Sequence, residues 1–129
     1  MSTRRTTAVG PEDPLTNDAE PPRQTISTHV LDTERGVPAA GVHVTLYRLD
    51  VGVAPIRMTQ ALTDGDGRIR DLLERPLQSG EYRLEFDIVH EDGSFFSKVA
   101  VDLHVSDTER SYHVPLLLAP FSMTVYRGT

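Results

Sequence analysis

The sequence predicts an all-β sandwich with little or no helix, and two observations support this. Apolar and polar residues alternate with a period of two along several short runs, most clearly over 82–88 and 99–105, as expected for strands that bury one face. Turn-forming clusters of Gly, Asp, Pro and Ser separate these runs at regular spacing. Roughly seven or eight short antiparallel strands of this kind favour two packed sheets.

Each element can be placed from these patterns. The alternating or apolar runs that predict strands lie at 28–31, 42–47, 56–62, 82–88, 99–105, 112–118 and 121–126. The clusters that predict turns lie at 36–38, 64–67, 78–80 and 91–94. No window shows a strong apolar period of 3.6 residues, so helix content should be very low.

The run at 112–118 is apolar on both faces. One face carries Tyr112, Val114, Leu116 and Leu118, and the other carries His113, Pro115 and Leu117. The second face of an antiparallel sandwich ordinarily meets water, so we expect another subunit to cover this one. Pro115 has no N–H to donate, which predicts a bulge or a locally unpaired position.

Composition limits the classes of function. The chain has 129 residues, no cysteine, 13 Lys plus Arg and 19 Asp plus Glu, for a net charge of −6. It therefore lacks disulfides, thiolate metal sites and cysteine nucleophiles, and its acidic, Trp-free composition disfavours nucleic-acid binding. No apolar run approaches the ~18 residues of a membrane span, and no secretory signal is evident. We predict a cytoplasmic protein.

The chain divides into an extension and a domain. Residues 1–24 contain few apolar side chains, too few to offset the entropy lost on ordering. We expect a disordered N-terminal extension over 1–24 and one domain over 25–129. Removal of the extension should leave fold and activity intact.

Common catalytic motifs are absent. The sequence contains no G-x-S-x-G elbow, no H-E-x-x-H, no phosphate-binding loop and no dinucleotide fingerprint. The segment Asp64-Gly65-Asp66-Gly67 faintly resembles a calcium loop, but it lacks the third spaced acid and the distant Glu. A hairpin turn is the favoured interpretation.

The five histidines fall into two groups. His43 and His104 lie on polar strand faces and His90 lies in a turn-rich stretch, so we expect these three at the surface. His29 lies where burial is expected, and His113 lies on the outer face of the doubly apolar strand. The residues alone leave open whether these two are functional or structural. Two imidazoles without a nearby carboxylate are too few for zinc.

Two long motifs and the C-terminus resemble the 5-hydroxyisourate hydrolases, the transthyretin-related enzymes. The first motif is ISTHVLDT at 26–33, followed by Gly36, Pro38-Ala39 and Gly41-Val42. The second is YHVPLLLAPFS at 112–122, and the chain ends Tyr126-Arg127-Gly128-Thr129 where the family has Tyr-Arg-Gly-Ser. Segments 63–68 and 80–87 resemble the family's middle landmarks, so the resemblance spans residues 25–129.

The resemblance implies a fold and an assembly. The fold would be the transthyretin-like Greek-key sandwich of two four-stranded antiparallel sheets. The assembly would be a homotetramer with active sites at subunit interfaces. The doubly apolar run at 112–118 independently predicts an apolar interface that contains Pro115 and Leu117. The small-molecule substrate would be 5-hydroxyisourate, with no metal, no cofactor, no nucleic acid and no membrane involved.

The resemblance also implies the site residues. The catalytic side chains would be His29, Arg68 and His113, and the substrate-binding residues would be Tyr126, Arg127, Gly128 and Thr129. Water would attack a ring carbonyl, giving 2-oxo-4-hydroxy-4-carboxy-5-ureidoimidazoline in urate degradation. The histidines would move protons, Arg68 would bind oxygens, and Arg127 would support the C-terminus or interface rather than the chemistry.

The alternative is a transthyretin-like carrier of small ligands without catalysis. The carriers replace the two histidines and the arginine and extend past the terminal tetrapeptide, so the residues of this chain favour the enzyme. Three departures from the enzyme pattern remain. Ser111 stands where the family has a histidine, Thr129 replaces Ser, and the segment from Asp87 to Phe95 is shorter than expected, so a short helix there would be reduced or missing.

Overall fold

The computed structural model describes residues 23–88 and 95–129, which contain nine strands and no helix. The strands are β1 (Ile26–Asp32), β2 (Val37–Pro38), β3 (His43–Leu49), β4 (Ile56–Leu62), β5 (Arg68–Ile69), β6 (Gly80–Asp87), β7 (Lys98–Val105), β8 (Tyr112–Ala119) and β9 (Ser122–Val125). His90, the turn predicted at 91–94 and the shortened helix lie outside the described residues, as do residues 1–22. Within the described ranges, no helix is long and apolar enough to cross a membrane.

The predicted two-sheet sandwich is confirmed. One sheet has the order β4-β3-β6-β7, and the other has the order β2-β1-β8-β9 with β5 also paired to β1. The second sheet therefore has five strands rather than four. The difference arises because β2 and β5 contain two residues each, too few to show an alternating pattern in the sequence.

One pairing differs from the antiparallel expectation. Strands β1 and β8 run parallel in an unbroken register from Ile26–Tyr112 to Asp32–Leu118. Alternation predicts which side chains of a strand face the core, but it carries no information on strand direction. Parallel strands need a long connection, and here the intervening chain builds the whole opposite sheet.

The core lies between the two sheets and follows the alternation of the sequence. In β6, Tyr82, Leu84 and Phe86 are fully buried, and Val44 and Leu46 of β3 pack with them. From the other sheet come the inward residues of β1 and β8: Ile26, Thr28, Val30, Tyr112, Val114 and Leu116. Thr28 is the polar member, and its hydroxyl donates to the carbonyl of Val114 at 2.6 Å. The odd-numbered residues of β1 and β8 therefore point to the opposite, outer face of this sheet.

Pro115 lies in β8 without a bulge. On the β1 side it pairs with His29 within the continuous register. On the β9 side its carbonyl accepts from the N–H of Tyr126 at 3.4 Å, but the proline has no N–H to return the bond. Regular β8–β9 pairing accordingly ends at Leu116–Val125. The expectation of a locally unpaired position is thus met on this side only.

The turn at 64–67 is confirmed and brings β5 against β1. One carboxylate oxygen of Asp64 accepts from the N–H groups of Asp66 and Arg68, at 2.9 and 3.0 Å. Gly67 has φ +76°, and its carbonyl accepts from the N–H of Val30 at 2.7 Å. A Cβ on Gly67 would lie 2.4 Å from the carbonyl oxygen of Val30. Only glycine allows so close an approach in this conformation.

We expect Gly67→Ala to be much more destabilising than Gly36→Ala. Gly36 has a similar φ of +73°, but a Cβ there meets nothing within 4 Å. Gly36→Ala should therefore lower the free energy of unfolding by about 1–2 kcal/mol, the cost of a left-handed residue. Gly67→Ala should lose a further 1–3 kcal/mol or so through the clash with Val30. Urea unfolding of both variants measures the difference, and equal losses would contradict the close approach.

Candidate functional site

The outer face of the five-stranded sheet gathers the three predicted catalytic side chains. Arg68 of β5 lies directly opposite His29 of β1 in the antiparallel register. His113 of β8 lies opposite Ser27, two residues before His29 on the same face. Side chains in such direct and diagonal positions are about 5–8 Å apart at Cβ. The two histidines and the arginine therefore form one cluster across three strands.

His29 is half-buried and held by a backbone carbonyl. Its Nε2 lies 2.9 Å from the carbonyl oxygen of Asp66 in the 64–67 turn. A carbonyl only accepts, so Nε2 of His29 carries a proton and donates it. In the neutral imidazole the lone pair then lies on Nδ1, which is free to take a proton.

His113 is half-buried and contacted on both sides. Its Nδ1 lies 2.9 Å from the hydroxyl of Ser27. On the other side, the N–H of Gly128 donates to the His113 carbonyl at 2.8 Å, and a Cβ on Gly128 would lie 2.8 Å from Cδ2 of the ring. Burial lowers the pKa of His113, and the positive charge of Arg68 and the neighbouring His29 lower it further. The ring is therefore neutral at pH 7.

Arg68 is positioned by its backbone. Its N–H donates to the Asp64 carboxylate, and its carbonyl accepts from the N–H of Asp64 at 3.0 Å. The bond from the Arg68 N–H is the largest cause of the lowered pKa of the Asp64 carboxyl, and the bond from the Asp66 N–H also lowers it. Within residues 23–88 and 95–129, the guanidinium of Arg68 has no hydrogen bond or ion pair. It is available to a ligand.

The C-terminal residues divide between the cluster and its surroundings. Alternation from Val125 places Tyr126 on the outer face beside Pro115, where it is 50% exposed. Gly128 contacts His113 as described above. Arg127 instead places its guanidinium 5.4 Å from the centre of the Tyr112 ring, a cation–π contact.

Thr129 is exposed. The expected role of Arg127 in supporting the C-terminus or an interface stays a prediction. Its predicted role in substrate binding, like that of Thr129, stays a prediction.

The remaining described histidines lie away from the cluster. His43 and His104 are exposed on the four-stranded sheet, as predicted, and His104 contacts the carboxylate of Glu81. Ser27 is the one member of the cluster that the sequence did not single out. Its spacing of two residues from His29 in a strand was the available signal, because it places both on one face.

The cluster offers two imidazoles and a permanent positive charge. Neutral imidazoles exchange protons near pH 7, and a guanidinium binds two oxygens in one plane. The described residues contain no group of three or more His, Cys, Asp or Glu side chains that could hold a metal ion. The arrangement suits addition of water to a polarised carbonyl.

Comparisons with known proteins identify the family of the chain. The HIUase/Transthyretin family matches residues 26–128. A 5-hydroxyisourate hydrolase of Deinococcus radiodurans is 41% identical over 114 residues, covering 81% of this chain and 95% of that protein. One from Caulobacter vibrioides is 38% identical over 113 residues, with 81% and 97% covered.

Solved structures show the same relationship. The 5-hydroxyisourate hydrolase of Klebsiella pneumoniae aligns with a TM-score of 0.69 at 31% identity, covering 82% of this chain and 99% of that one. Transthyretin from Sparus aurata aligns with a TM-score of 0.72 at 25% identity, covering 82% and 97%. Sequence and fold together show that the chain belongs to the HIUase/transthyretin family.

Proposed function

We propose that this protein hydrolyses 5-hydroxyisourate in urate degradation. The observation that carries the proposal is the convergence of His29, Arg68 and His113 on one sheet face. The relatives support it, because the curated ones at 36–41% identity include proteins named 5-hydroxyisourate hydrolase. A relative in Arabidopsis thaliana, 38% identical over 123 residues, is named as a uric acid degradation bifunctional protein. The TM-scores of the two solved structures are similar, but the sequence identity to transthyretin is 25% against 31% to the hydrolase, which favours the enzyme over the carrier.

In the proposed reaction, water adds to a ring carbonyl and the C–N bond of the cyclic amide breaks. One imidazole, in its neutral form, takes a proton from the water, and the other, in its protonated form, gives a proton to the departing nitrogen. His29 presents Nδ1 for this exchange because its Nε2 is bonded to Asp66. His113 presents Nε2 because its Nδ1 is bonded to Ser27. The two histidines thus reach the substrate through opposite ring nitrogens.

Arg68 supplies charge to the same reaction. Its guanidinium is planar, always protonated and without a protein partner among the described residues, so it can bind the ureide oxygens. In the transition state it would stabilise the negative charge that develops on the attacked carbonyl oxygen. Tyr126 lies at the edge of this cluster and would orient the ring. Neither metal nor cofactor is required by these steps.

The same face supports the proposal of a homotetramer. Pro115 is buried, and Leu31 and Leu117 are half-buried on this face already in one chain. Nearby, Phe121 is 75% exposed and Tyr126 is 50% exposed. Apolar surface of this kind is typical of an interface between subunits. Assembly over this face would enclose the cluster and exclude bulk water. The predicted cytoplasmic location is retained as part of the proposal.

The direct test is the decay of freshly generated 5-hydroxyisourate, followed by ultraviolet absorbance. The wild-type protein should accelerate the decay, and His29→Asn or His113→Asn should each lower kcat on the order of 10²–10⁴-fold. Arg68→Lys should also be severe, because an ammonium cannot present a planar fork.

His43→Asn and His104→Asn are the matched controls for this series, since both side chains are exposed on the other sheet. They should retain near wild-type kcat. Loss of activity in either control, with His29 and His113 variants still active, would show that the site is misplaced.

The lowered pKa of His113 predicts the pH profile. Its ordinary value is 6.5, and burial with the nearby charges moves the pKa below this. The essential neutral form therefore persists at pH 6.5 and is lost at lower pH, so kcat/KM should fall on the acid side below 6.5. Measurement from pH 4.5 to 8 tests this, with His104→Asn as a control of unchanged profile. An acid limb centred above 6.5 would contradict the proton-transfer role.

The same shift has a consequence for stability. The unfolded chain binds a proton on His113 more readily than the folded chain does. The contribution of His113 to the free energy of unfolding is therefore fully present above pH 6.5, the ordinary pKa of the group in the unfolded chain. It is lost progressively as the pH falls below that value.

The assembly has its own test. Leu117→Arg places a charge on the proposed interface, and Ala100→Arg places one on the exposed four-stranded sheet as the control. Sedimentation at micromolar concentration should show a tetramer for the wild type and the control, and smaller species for Leu117→Arg. A stable wild-type monomer would exclude both the interface and a site built at it.

A further inference from the structure

We propose that Ser27 is a positioning residue of the hydrolytic site, which tethers the imidazole of His113 through Nδ1 and thereby directs Nε2 at the substrate. This inference rests on the proposed function and adds a fourth side chain to it. Ser27 acts through His113 and has no role of its own in bond breaking.

The tether is set by strand pairing. Ser27 and His113 are 86 residues apart in the chain and directly opposite each other in the β1–β8 register. The serine hydroxyl lies 2.9 Å from Nδ1 of His113. Within the described parts of the chain, this is the hydroxyl's one hydrogen bond, and both residues are half-buried. Gly128 closes the opposite side of the ring, so the hydroxyl is the polar contact that fixes the ring's rotation.

A hydroxyl suits a histidine that changes its protonation state. It donates to a bare Nδ1 and accepts from a protonated one. When Nε2 exchanges a proton between the neutral ring and the imidazolium, Nδ1 is protonated in both states, so the hydroxyl accepts from Nδ1–H before and after the transfer. The carbonyl of Asp66 can only accept from His29, which fixes one tautomer of that ring. The Asp66 carbonyl thus fixes which nitrogen of His29 carries the proton, whereas the Ser27 hydroxyl can bond to Nδ1 of His113 whether or not that nitrogen is protonated.

A pair of isosteric substitutions isolates the hydroxyl. Ser27→Thr retains it, and Ser27→Val has nearly the same shape without it. We expect kcat of Ser27→Val to be about tenfold below that of Ser27→Thr, the usual effect of one lost hydrogen bond, with KM changed by less than about twofold. Equal melting temperatures of the pair will show that both fold alike.

Ser111→Ala is the matched control. The Ser111 hydroxyl joins the two segments just before β1 and β8, accepting from the N–H of Thr25 at 3.0 Å, and among the described residues it has no hydrogen bond to His113. This variant should keep wild-type kcat. If Ser111→Ala lowered kcat as much as Ser27→Val does, the loss of kcat would be due to disturbed pairing of the two segments, and the positioning role of Ser27 would be overturned.

A measurement without substrate separates this inference from the proposed function. In ¹⁵N-histidine NMR spectra, Ser27→Val should shift the ring nitrogens and the pKa of His113 relative to Ser27→Thr and leave His43 and His104 unchanged. Equal spectra and equal kcat for the pair, with His113→Asn inactive, would overturn the role of Ser27 alone. Full activity of His113→Asn would overturn the proposed site, and the role of Ser27 with it.

Discussion

The parallel pairing of β1 with β8 is the constraint on which the candidate site depends. It places two distant segments of the chain in a fixed register, with Ser27 opposite His113 and His29 opposite Pro115. Because side chains alternate across a strand, the same register that buries Thr28 and Val114 in the core turns His29 and His113 outward. A shift of one residue would reverse both arrangements, so the burial of the core protects the geometry of the site.

The position of Arg68, the third side chain of the cluster, depends on a close contact between two backbone segments. The Asp64 carboxylate holds the 64–67 turn, and Gly67 allows that turn to rest on the backbone of Val30. Arg68 follows immediately and is thereby placed opposite His29. Burial lowers the pKa of His113, and the positive charge of Arg68 lowers it further, which favours the neutral ring. The guanidinium of Arg68 stays available for oxygen atoms.

Much of this structure follows from local patterns. The strands containing Tyr82 and Val101 could be predicted because a period of two is visible within a few residues. The parallel direction of β1 and β8 could not, since direction depends on contacts between segments far apart in sequence. The strands β2 and β5 were missed because two residues are too few to show an alternation of apolar and polar side chains.

The site was predicted in a different way. His29, Arg68 and His113 were selected by family resemblance, and the structure shows that strand register brings them together. The spacing of Ser27 two residues from His29 indicates that both lie on one strand face, but it does not show what the hydroxyl contacts. Its partner becomes visible only when β1 and β8 pair. The resemblance places Arg127 among the substrate-binding residues, and the structure shows its guanidinium against the Tyr112 ring, so its role in binding stays a prediction.

A crystal structure with a stable cyclic ureide bound would test the central claim most directly, namely that the outer face of the five-stranded sheet is where the substrate ring binds. The account predicts a ligand oxygen within hydrogen-bond distance of the Arg68 guanidinium and a ring atom within reach of Nε2 of His113. A ligand bound on the four-stranded sheet, with the outer face of the five-stranded sheet left empty, would contradict it.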